Sequence, residues 1–286
     1  MAVGQVYKQG WTPDEIAWDS FDASKVEPWM VEAIKSAALV EYNAPDYVDY
    51  LKRVFPDPAF HPVIEQWGAE ETQHGKVLGR WARLADPRFD LEEAHARFRA
   101  GYRPPHFASE DQASIRGSRR GELISRCVVE SGTSSYYTAI RDATQEPVLQ
   151  EIAGRIAADE YRHYRLFYET QKTQPEHELP FWKKLRIAVG RMTESDDDEI
   201  SYSHYCAIVP ADQVAAKPYD RRVYSKNLFG HTVRIYRRRH IQKLVQMVAK
   251  SIGADPQSGL VKLAGAAIWR MLCLRAGMNG NASASA

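Results

Sequence analysis

Cysteine is scarce in this 286-residue sequence, long apolar runs are missing, and neither sign of charge is in excess. The three cysteines, Cys127, Cys206 and Cys273, form no Cys-x-x-Cys pair, which argues against a disulfide framework and against a zinc ribbon. No stretch reaches the roughly 18 uninterrupted apolar residues of a membrane span, and the N-terminus has no apolar signal core. We therefore expect a cytoplasmic protein without a membrane span.

The overall charge gives no reason to expect nucleic-acid binding, because the 38 basic residues are almost balanced by 37 acidic ones. Alternation of apolar and polar residues long enough for a sheet is also missing, whereas apolar residues recur at helical spacing. With 44% hydrophobic residues, the chain can bury a sizeable core. The sequence predicts an all-α fold.

Proline, glycine and capping residues divide the chain into predicted helices. Pro58, Ser109 and Thr144 mark the predicted starts of the second, third and fourth helices, and Gly253 and Gly277 are predicted to end the last two. Four long ones form a core bundle over about residues 28–172, with bounds 28–55, 58–85, 109–143 and 144–172. A shorter piece is predicted at 91–98, and accessory helices at 179–192, 219–252 and 256–276, within 177–276. Residues 1–27 are expected to be irregular, 201–216 are ambiguous, the acidic run 194–199 is expected to be a solvated connection, and the tail 277–286 is predicted to be disordered.

A Glu-x-x-His motif occurs twice, as Glu71 with His74 and as Glu160 with His163. On a helix, three residues turn the chain by about 300° and advance it by about 4.5 Å, so both side chains share one face. Each motif can therefore offer a carboxylate and an imidazole to the same metal ion. A single Glu-x-x-His on a helix is most often only a solvated face, so the motif needs further support.

Two more glutamates supply that support, because Glu41 precedes Glu71 by 30 residues and Glu130 precedes Glu160 by the same interval. Both lie in apolar stretches, where an idle carboxylate is rare. One glutamate from each of two helices and a Glu-x-x-His from each of two others is the known ligand set of ferritin-like dinuclear bundles. We predict a single ferritin-like domain, 1–286, with a dinuclear metal centre and additional C-terminal helices. Its predicted ligands are Glu41, Glu71, His74, Glu130, Glu160 and His163.

Carboxylates and imidazoles suit two iron ions, with manganese as an alternative at one or both positions, and the absence of thiolates makes a structural zinc site less apt. Four stretches carry further detail: Glu41-Tyr-Asn-Ala-Pro45-Asp-Tyr47, Glu70-Glu71-Thr-Gln-His74, Glu130-Ser-Gly-Thr133 and Asp159-Glu160-Tyr-Arg162-His163. Together they resemble the iron-binding helices of the soluble acyl-carrier-protein desaturases. The resemblance covers roughly residues 38–170, and nothing after about residue 175 matches.

The resemblance implies roles for three residues beside the ligands. Thr133 would lie on the oxygen-binding side of the metals and help to deliver protons, as a catalytic residue. Asp159 would support a ligand histidine by a hydrogen bond, and Arg162 would extend that network. For Asp159 and Arg162, a plain salt bridge on the helix surface is the alternative.

The resemblance also implies an O2-dependent diiron oxidase that removes hydrogen from, or oxygenates, C–H bonds of an acyl-type substrate in fatty acid metabolism. The substrate would be carried on acyl carrier protein, a ferredoxin-like donor would supply electrons, and we also expect a homodimer. Two alternatives stay open: a diiron hydroxylase or N-oxygenase of a small metabolite, and a ferroxidase or iron-storage protein.

Basic segments offer candidate docking positions for an acidic carrier protein or electron donor. These are Arg119-Arg120 and Arg237-Arg-Arg-His240. Basic helix faces are usually only solvated, so this interpretation competes with a purely structural one. Cys127 lies on the face of Glu130 and is expected to pack in the core.

Overall fold

The computed structural model of the chain describes residues 10–108, 112–194 and 198–277. Within those ranges all regular structure is helical and no strand occurs, which confirms the predicted all-α fold. The α-helices are α1 (Pro28–Tyr42), α2 (Ala44–Val54), α3 (His61–Ala85), α4 (Leu91–Gly101), α5 (Pro105–Ala108), α6 (Arg119–Ala143), α7 (Pro147–Thr173), α8 (Phe181–Thr193), α9 (Asp198–Ile208), α10 (Arg221–Ile235), α11 (Arg238–Ser251) and α12 (Gly259–Arg275). In the described part of the chain, none of these helices has the length and apolar content needed to cross a membrane.

The helix predicted at 28–55 is in fact two helices, α1 and α2, separated at Asn43. Pro45 explains the break, since proline has no N–H to donate to the carbonyl of Glu41 four residues earlier, and its ring clashes with that carbonyl. Helix α1 consequently ends one residue after Glu41. The predicted helix 219–252 is likewise wrong as one element, because Arg237 has an extended backbone (φ −119°, ψ 160°) between α10 and α11.

Two other helix starts lie later than predicted. Helix α3 begins at His61, with Pro62 rather than Pro58 in its first turn. Helix α6 begins at Arg119, and the predicted cap Ser109 lies outside the described residues. The backbone N–H of Gly121 donates to the Ser118 hydroxyl at 3.0 Å. Ser118, and not Ser109, therefore caps this helix.

The regions beyond α8 differ from the prediction in one further respect. Helix α9 covers residues 201–208, the first half of the segment that the sequence left ambiguous. Glu199 in this helix is only 3% exposed, although the acidic run was expected to be solvated. Its carboxylate accepts a hydrogen bond of 2.6 Å from the Tyr47 hydroxyl. The predicted glycine stops after α11 and α12 are confirmed, because Gly253 and Gly277 adopt positive φ angles of 84° and 65°. The tail 278–286 lies outside the described residues.

Contacts within the chain divide it into two compact units. Unit 1 comprises Met1–Ala113, Thr144–Ile152 and Ser195–His231. Unit 2 comprises Ser114–Ala143, Ala153–Glu194 and Thr232–Ala286. The predictions of a single domain, 1–286, and of a four-helix bundle at its core stay predictions.

In unit 1, helix α1 packs against α3, α4 and α9, and α2 also packs against α3. A buried carboxylate ties this unit together at the start of α7. Glu146 is fully buried and caps the helix by accepting from the Leu149 N–H at 2.7 Å, while its same Oε2 atom accepts from the Trp81 indole at 2.7 Å. Thr144 was predicted to cap this helix, but its hydroxyl instead accepts a hydrogen bond from the N–H of Glu146.

In unit 2, helix α11 lies between two apolar clusters. One face of α11 packs with α6 and α8 around Ile124, Ala188 and Val248. Its other face packs against α12 around Val245 and Trp269. Helix α6 also contacts α7, where the Ser134 hydroxyl donates to the carbonyl of Ala157 at 3.1 Å.

Candidate metal centre

Three predicted ligands of unit 1 converge, and we call Glu41, Glu71 and His74 the unit 1 cluster. Each of them offers a ligand atom, and these atoms lie within 4.8 Å of one another. Their exposed fractions are 8%, 5% and 0%. The Nδ1 atom of His74 is 3.6 Å from an Oε atom of Glu71, as expected for residues three apart on one helix. A buried group of two carboxylates and one imidazole can hold a metal ion.

Close approach of α1 and α3 brings this cluster together. Gly75 follows His74, and a Cβ atom placed on it would be 2.6 Å from the backbone nitrogen of Tyr42, which follows Glu41. Any larger residue at position 75 would therefore push apart the two helices that carry the predicted ligands. The glycine fixes the distance between Glu41 and His74 through backbone contact.

A residue that the sequence analysis missed covers His74. Trp11 is 4% exposed, and its ring stacks on the imidazole of His74 with centroids 6.2 Å apart and planes 10° apart. The carbonyl of Trp11 accepts a hydrogen bond of 3.2 Å from the Gln73 side chain. Trp11 lies in the segment predicted to be irregular, where no periodic pattern or motif marks it. The packing against α3 is therefore invisible to local sequence patterns.

The three predicted ligands of unit 2 also converge, and we call Glu130, Glu160 and His163 the unit 2 cluster. Their ligand atoms again lie within 4.8 Å of one another. Exposed fractions are 1%, 0% and 0%, so this cluster is enclosed more completely than that of unit 1. The Nδ1 atom of His163 is 3.8 Å from an Oε atom of Glu130.

Thr133 touches the unit 2 cluster directly. Its hydroxyl donates to the Oε2 atom of Glu160 at 2.5 Å, one helix away. Threonine at this position therefore fixes one oxygen of a predicted ligand. Its predicted part in proton delivery stays a prediction.

Asp159 and Arg162 form an ion pair on α7. The Asp159 side chain is 3% exposed and that of Arg162 is 32% exposed, so the acidic partner is buried and the basic partner is partly exposed. The burial places a fixed charge next in sequence to Glu160. The predicted hydrogen bond from Asp159 to a ligand histidine stays a prediction.

The donor set fits a hard or borderline cation. Each cluster buries two carboxylates beside one imidazole, and such charges are costly to bury unless a cation shares them. Cys127, three residues before Glu130, does not add a thiolate, because burial and then the charge of Glu130 raise the pKa of its thiol well above the usual value. Oxygen and nitrogen donors without sulfur suit iron or manganese. The residues present could hold a metal ion.

Two residues of the predicted basic docking positions are buried. Arg120 is 9% exposed and donates to the backbone carbonyls of Gln171 and Gln174, so it caps the end of α7. His240 is 4% exposed and contacts Asp142 at 3.0 Å. Both side chains are committed to contacts inside unit 2 and are not available to a partner.

Comparison with known proteins adds no assignment. No protein-family model matches the chain, and no curated protein matches it. The case for a function consequently rests on the two clusters and on the sequence motifs that build them.

Proposed function

We propose that this protein is an O2-dependent oxidoreductase with a dinuclear iron centre, similar in kind to the soluble acyl-carrier-protein desaturases. One observation carries the proposal: the same arrangement of two glutamates and one histidine is buried twice, once in each unit. The two arrangements share the interval of 30 residues between their glutamates. A ferritin-like bundle of α1, α3, α6 and α7 is the fold in which such a ligand set is known.

Each cluster would hold one ion, with Glu41, Glu71 and His74 for the first and Glu130, Glu160 and His163 for the second. Two iron ions bound by such ligands supply the redox chemistry that activates O2 for cleavage of an unactivated C–H bond. Manganese at one or both positions is compatible with the same oxygen and nitrogen donors. Metal identity is thus part of the proposal.

The chain's own residues contribute protons and rigidity. Thr133 holds a proton at its Oγ1 atom, directed at the Oε2 atom of Glu160. A hydroxyl in that position can pass a proton to a neighbouring oxygen and recover one in turn, as general acid catalysis requires. We assign Thr133 this role. Asp159 and Arg162 hold a fixed charge pair beside Glu160, which orients the helix segment that carries two ligands.

The balance of the reaction defines its partners. Desaturation removes two hydrogen atoms from the substrate, reduces O2 to two water molecules, and consumes two electrons and two protons from outside. A ferredoxin-like protein is the proposed donor of those electrons. The proposed substrate is an acyl chain on acyl carrier protein. A homodimer in the cytoplasm remains part of this expectation.

The alternatives differ in what happens to the substrate. A hydroxylase or N-oxygenase of a small metabolite would use the same electrons but leave one oxygen atom in the product. A ferroxidase or iron-storage protein would oxidise iron without any organic product. The hydroxyl of Thr133 on a proposed ligand favours desaturation or oxygenation over iron storage, because proton delivery serves the oxidation of an organic substrate.

The test is a single-turnover reaction of iron-loaded, reduced protein with O2 and a long-chain acyl thioester of acyl carrier protein. Mass spectrometry then distinguishes a product that has lost two hydrogens from one that has gained an oxygen atom. We expect loss of hydrogen. Rapid iron oxidation with mineral accumulation and no organic product would contradict the proposal and favour iron storage.

His163→Ala serves as the matched control in that reaction, because it removes one proposed ligand from a fully buried position. It should yield no product under conditions in which circular dichroism shows a folded helical protein. Product formation at the unaltered rate in this variant would remove the unit 2 cluster from the chemistry.

A further inference from the structure

Helix α12 presents an apolar face to solvent, although it already buries another against the protein. Val261, Gly265, Trp269 and Cys273 are buried and recur every four residues, facing the core around α11. The exposed face lies about 180° away around the helix. It comprises Leu260, Leu263, Ala267, Met271 and Leu274.

The exposure of this face is large. Leu260 is 80% exposed, Leu263 66%, Met271 50% and Leu274 72%. At about 100° per residue, all five residues fall within about 40° of one line along the helix. Single exposed leucines need no explanation, but a continuous apolar stripe on a helix marks a surface that binds something.

The charge of the segment that carries this stripe indicates what kind of partner it binds. Residues 232–277 contain nine basic residues and one acidic residue, Asp255, for a formal net charge of +8, although the whole chain is only +1. The basic residues are Arg234, Arg237, Arg238, Arg239, Lys243, Lys250, Lys262, Arg270 and Arg275. Such asymmetry within one chain indicates an anionic partner.

Two of the three basic side chains on α12 flank the stripe. Arg270 and Arg275 are exposed and lie about 60° and 80° from its centre, on opposite sides. Long basic side chains in this position can rest their methylene stems on an apolar surface and reach outward with their charges. Leucines between arginines match the boundary between acyl chains and anionic headgroups.

We propose that α12 docks the protein onto an anionic phospholipid membrane surface, with Leu260, Leu263, Met271 and Leu274 entering the headgroup boundary. A nucleic acid would satisfy the basic residues but would leave the exposed leucines and Met271 without apolar contact. A second copy of the chain would bring two segments of net charge +8 together, which electrostatic repulsion opposes. The proposal is independent of the proposed oxidoreductase function.

The test is co-sedimentation of the full-length protein with vesicles of phosphatidylcholine, prepared with and without phosphatidylglycerol. We expect binding to the anionic vesicles, weaker binding to the neutral ones, and loss of binding as salt is raised. Equal binding to both vesicle types, or binding to neither, would overturn the proposal.

Two substitutions locate the contact. Leu263→Asp should weaken partitioning to anionic vesicles by about tenfold or more, since it removes the burial of one leucine. Arg270→Gln should weaken it by about fivefold, the effect of one basic residue near an anionic surface. The matched control is Leu84→Asp, because Leu84 is a 43% exposed leucine on α3 and belongs to unit 1.

Equal loss of binding in Leu263→Asp and Leu84→Asp would contradict docking through α12. Light scattering and a duplex DNA binding assay address the other partners. A dimer that Leu263→Asp dissociates, or tight DNA binding without vesicle binding, would overturn the proposal in favour of those partners. Circular dichroism should show unchanged helix content in all three variants, because each altered side chain is exposed.

Discussion

The two clusters have the same kinds of predicted ligand but different surroundings. In unit 1, α1 ends one residue after Glu41, and an aromatic ring from outside the helices covers His74. In unit 2, Glu130 lies within the unbroken helix α6, and Thr133 and the Asp159–Arg162 pair are near Glu160. The first cluster depends on packing from a distant segment, whereas the second is supported by polar side chains of its own helices.

The same pattern of predicted ligands is therefore held in place by different neighbouring residues in the two units. The position three residues after Glu41 is Ala44, which has no hydroxyl to match Thr133. Conversely, the unit 2 counterpart of Gly75 is Tyr164, so close backbone contact after the histidine belongs to unit 1 alone. The two proposed ions would therefore respond differently to changes in the protein around them.

Removal of a ligand histidine from each cluster should have the largest effect. We expect wild-type protein to bind about two metal ions per chain. His74→Ala and His163→Ala should each reduce this content by about half or more, because an open coordination position lowers affinity and leaves buried carboxylates uncompensated. Elemental analysis of purified protein measures the content.

His95→Ala is the control for both histidine variants, since His95 belongs to neither cluster. It should retain the wild-type metal content. Full content in both His74→Ala and His163→Ala would remove the ligand assignment.

Trp11→Ala should be the most damaging change around the unit 1 cluster. Truncation of a buried tryptophan removes apolar contacts and leaves a cavity, at a cost of about 3–5 kcal/mol in the free energy of unfolding. Urea denaturation of the metal-free protein measures it. Trp182→Ala is the control, because Trp182 is 75% exposed and should change stability by no more than about 0.5 kcal/mol. Similar stability of the two variants would show that Trp11 does not pack as described.

Acid should weaken unit 1 through a buried histidine that lies outside its metal cluster. His204 is fully buried beside the Ser36 hydroxyl, and burial lowers its pKa to about 4. The unfolded chain takes up that proton near pH 6.5, so the free energy of unfolding falls as the pH drops from about 6.5 to 4, by on the order of 3 kcal/mol.

His204→Leu should flatten this part of the pH profile, as measured by urea denaturation at several pH values. In unit 2, burial also lowers the pKa of His240, but Asp142 opposes the shift. His240→Leu should therefore change the slope less. An unaltered slope in His204→Leu would show that other groups cause the acid sensitivity.

The fold could be predicted from the sequence as far as periodic patterns reach. Helix identity followed from apolar spacing, and the stops at Gly253 and Gly277 from the need for positive φ. The predicted helix 28–55 includes Pro45 and therefore misses the break at Asn43, although the missing N–H of proline predicts an interruption there. The cap by Glu146 was missed because it depends on Trp81, 65 residues away in the chain.

The candidate site could be predicted where ligands share a helix or recur at one interval. Helical geometry places Glu71 with His74, and Glu160 with His163, on common faces. The stacking of Trp11 on His74 links residues with no common motif, so only the folded chain reveals it. Residue spacing thus indicates the candidate ligands, whereas tertiary packing determines which other residues contact and position them.

Thr133→Val tests the support of the unit 2 cluster with the smallest expected effect. Valine keeps the shape of threonine but loses the hydroxyl that donates to Glu160 at 2.5 Å. Loss of a hydrogen bond to a metal ligand typically costs tenfold to about a hundredfold in metal affinity, and we expect about tenfold here because Glu160 keeps its burial. Binding of only one of the two proposed ions should weaken, so a metal titration should separate into two phases.

Thr138→Val is the control, because Thr138 lies on the same helix and its hydroxyl donates to the Ser134 carbonyl. This variant should leave the titration unchanged. If Thr133→Val weakened both ions equally, the two clusters would be a single cooperative unit, and their different surroundings would not make them respond separately.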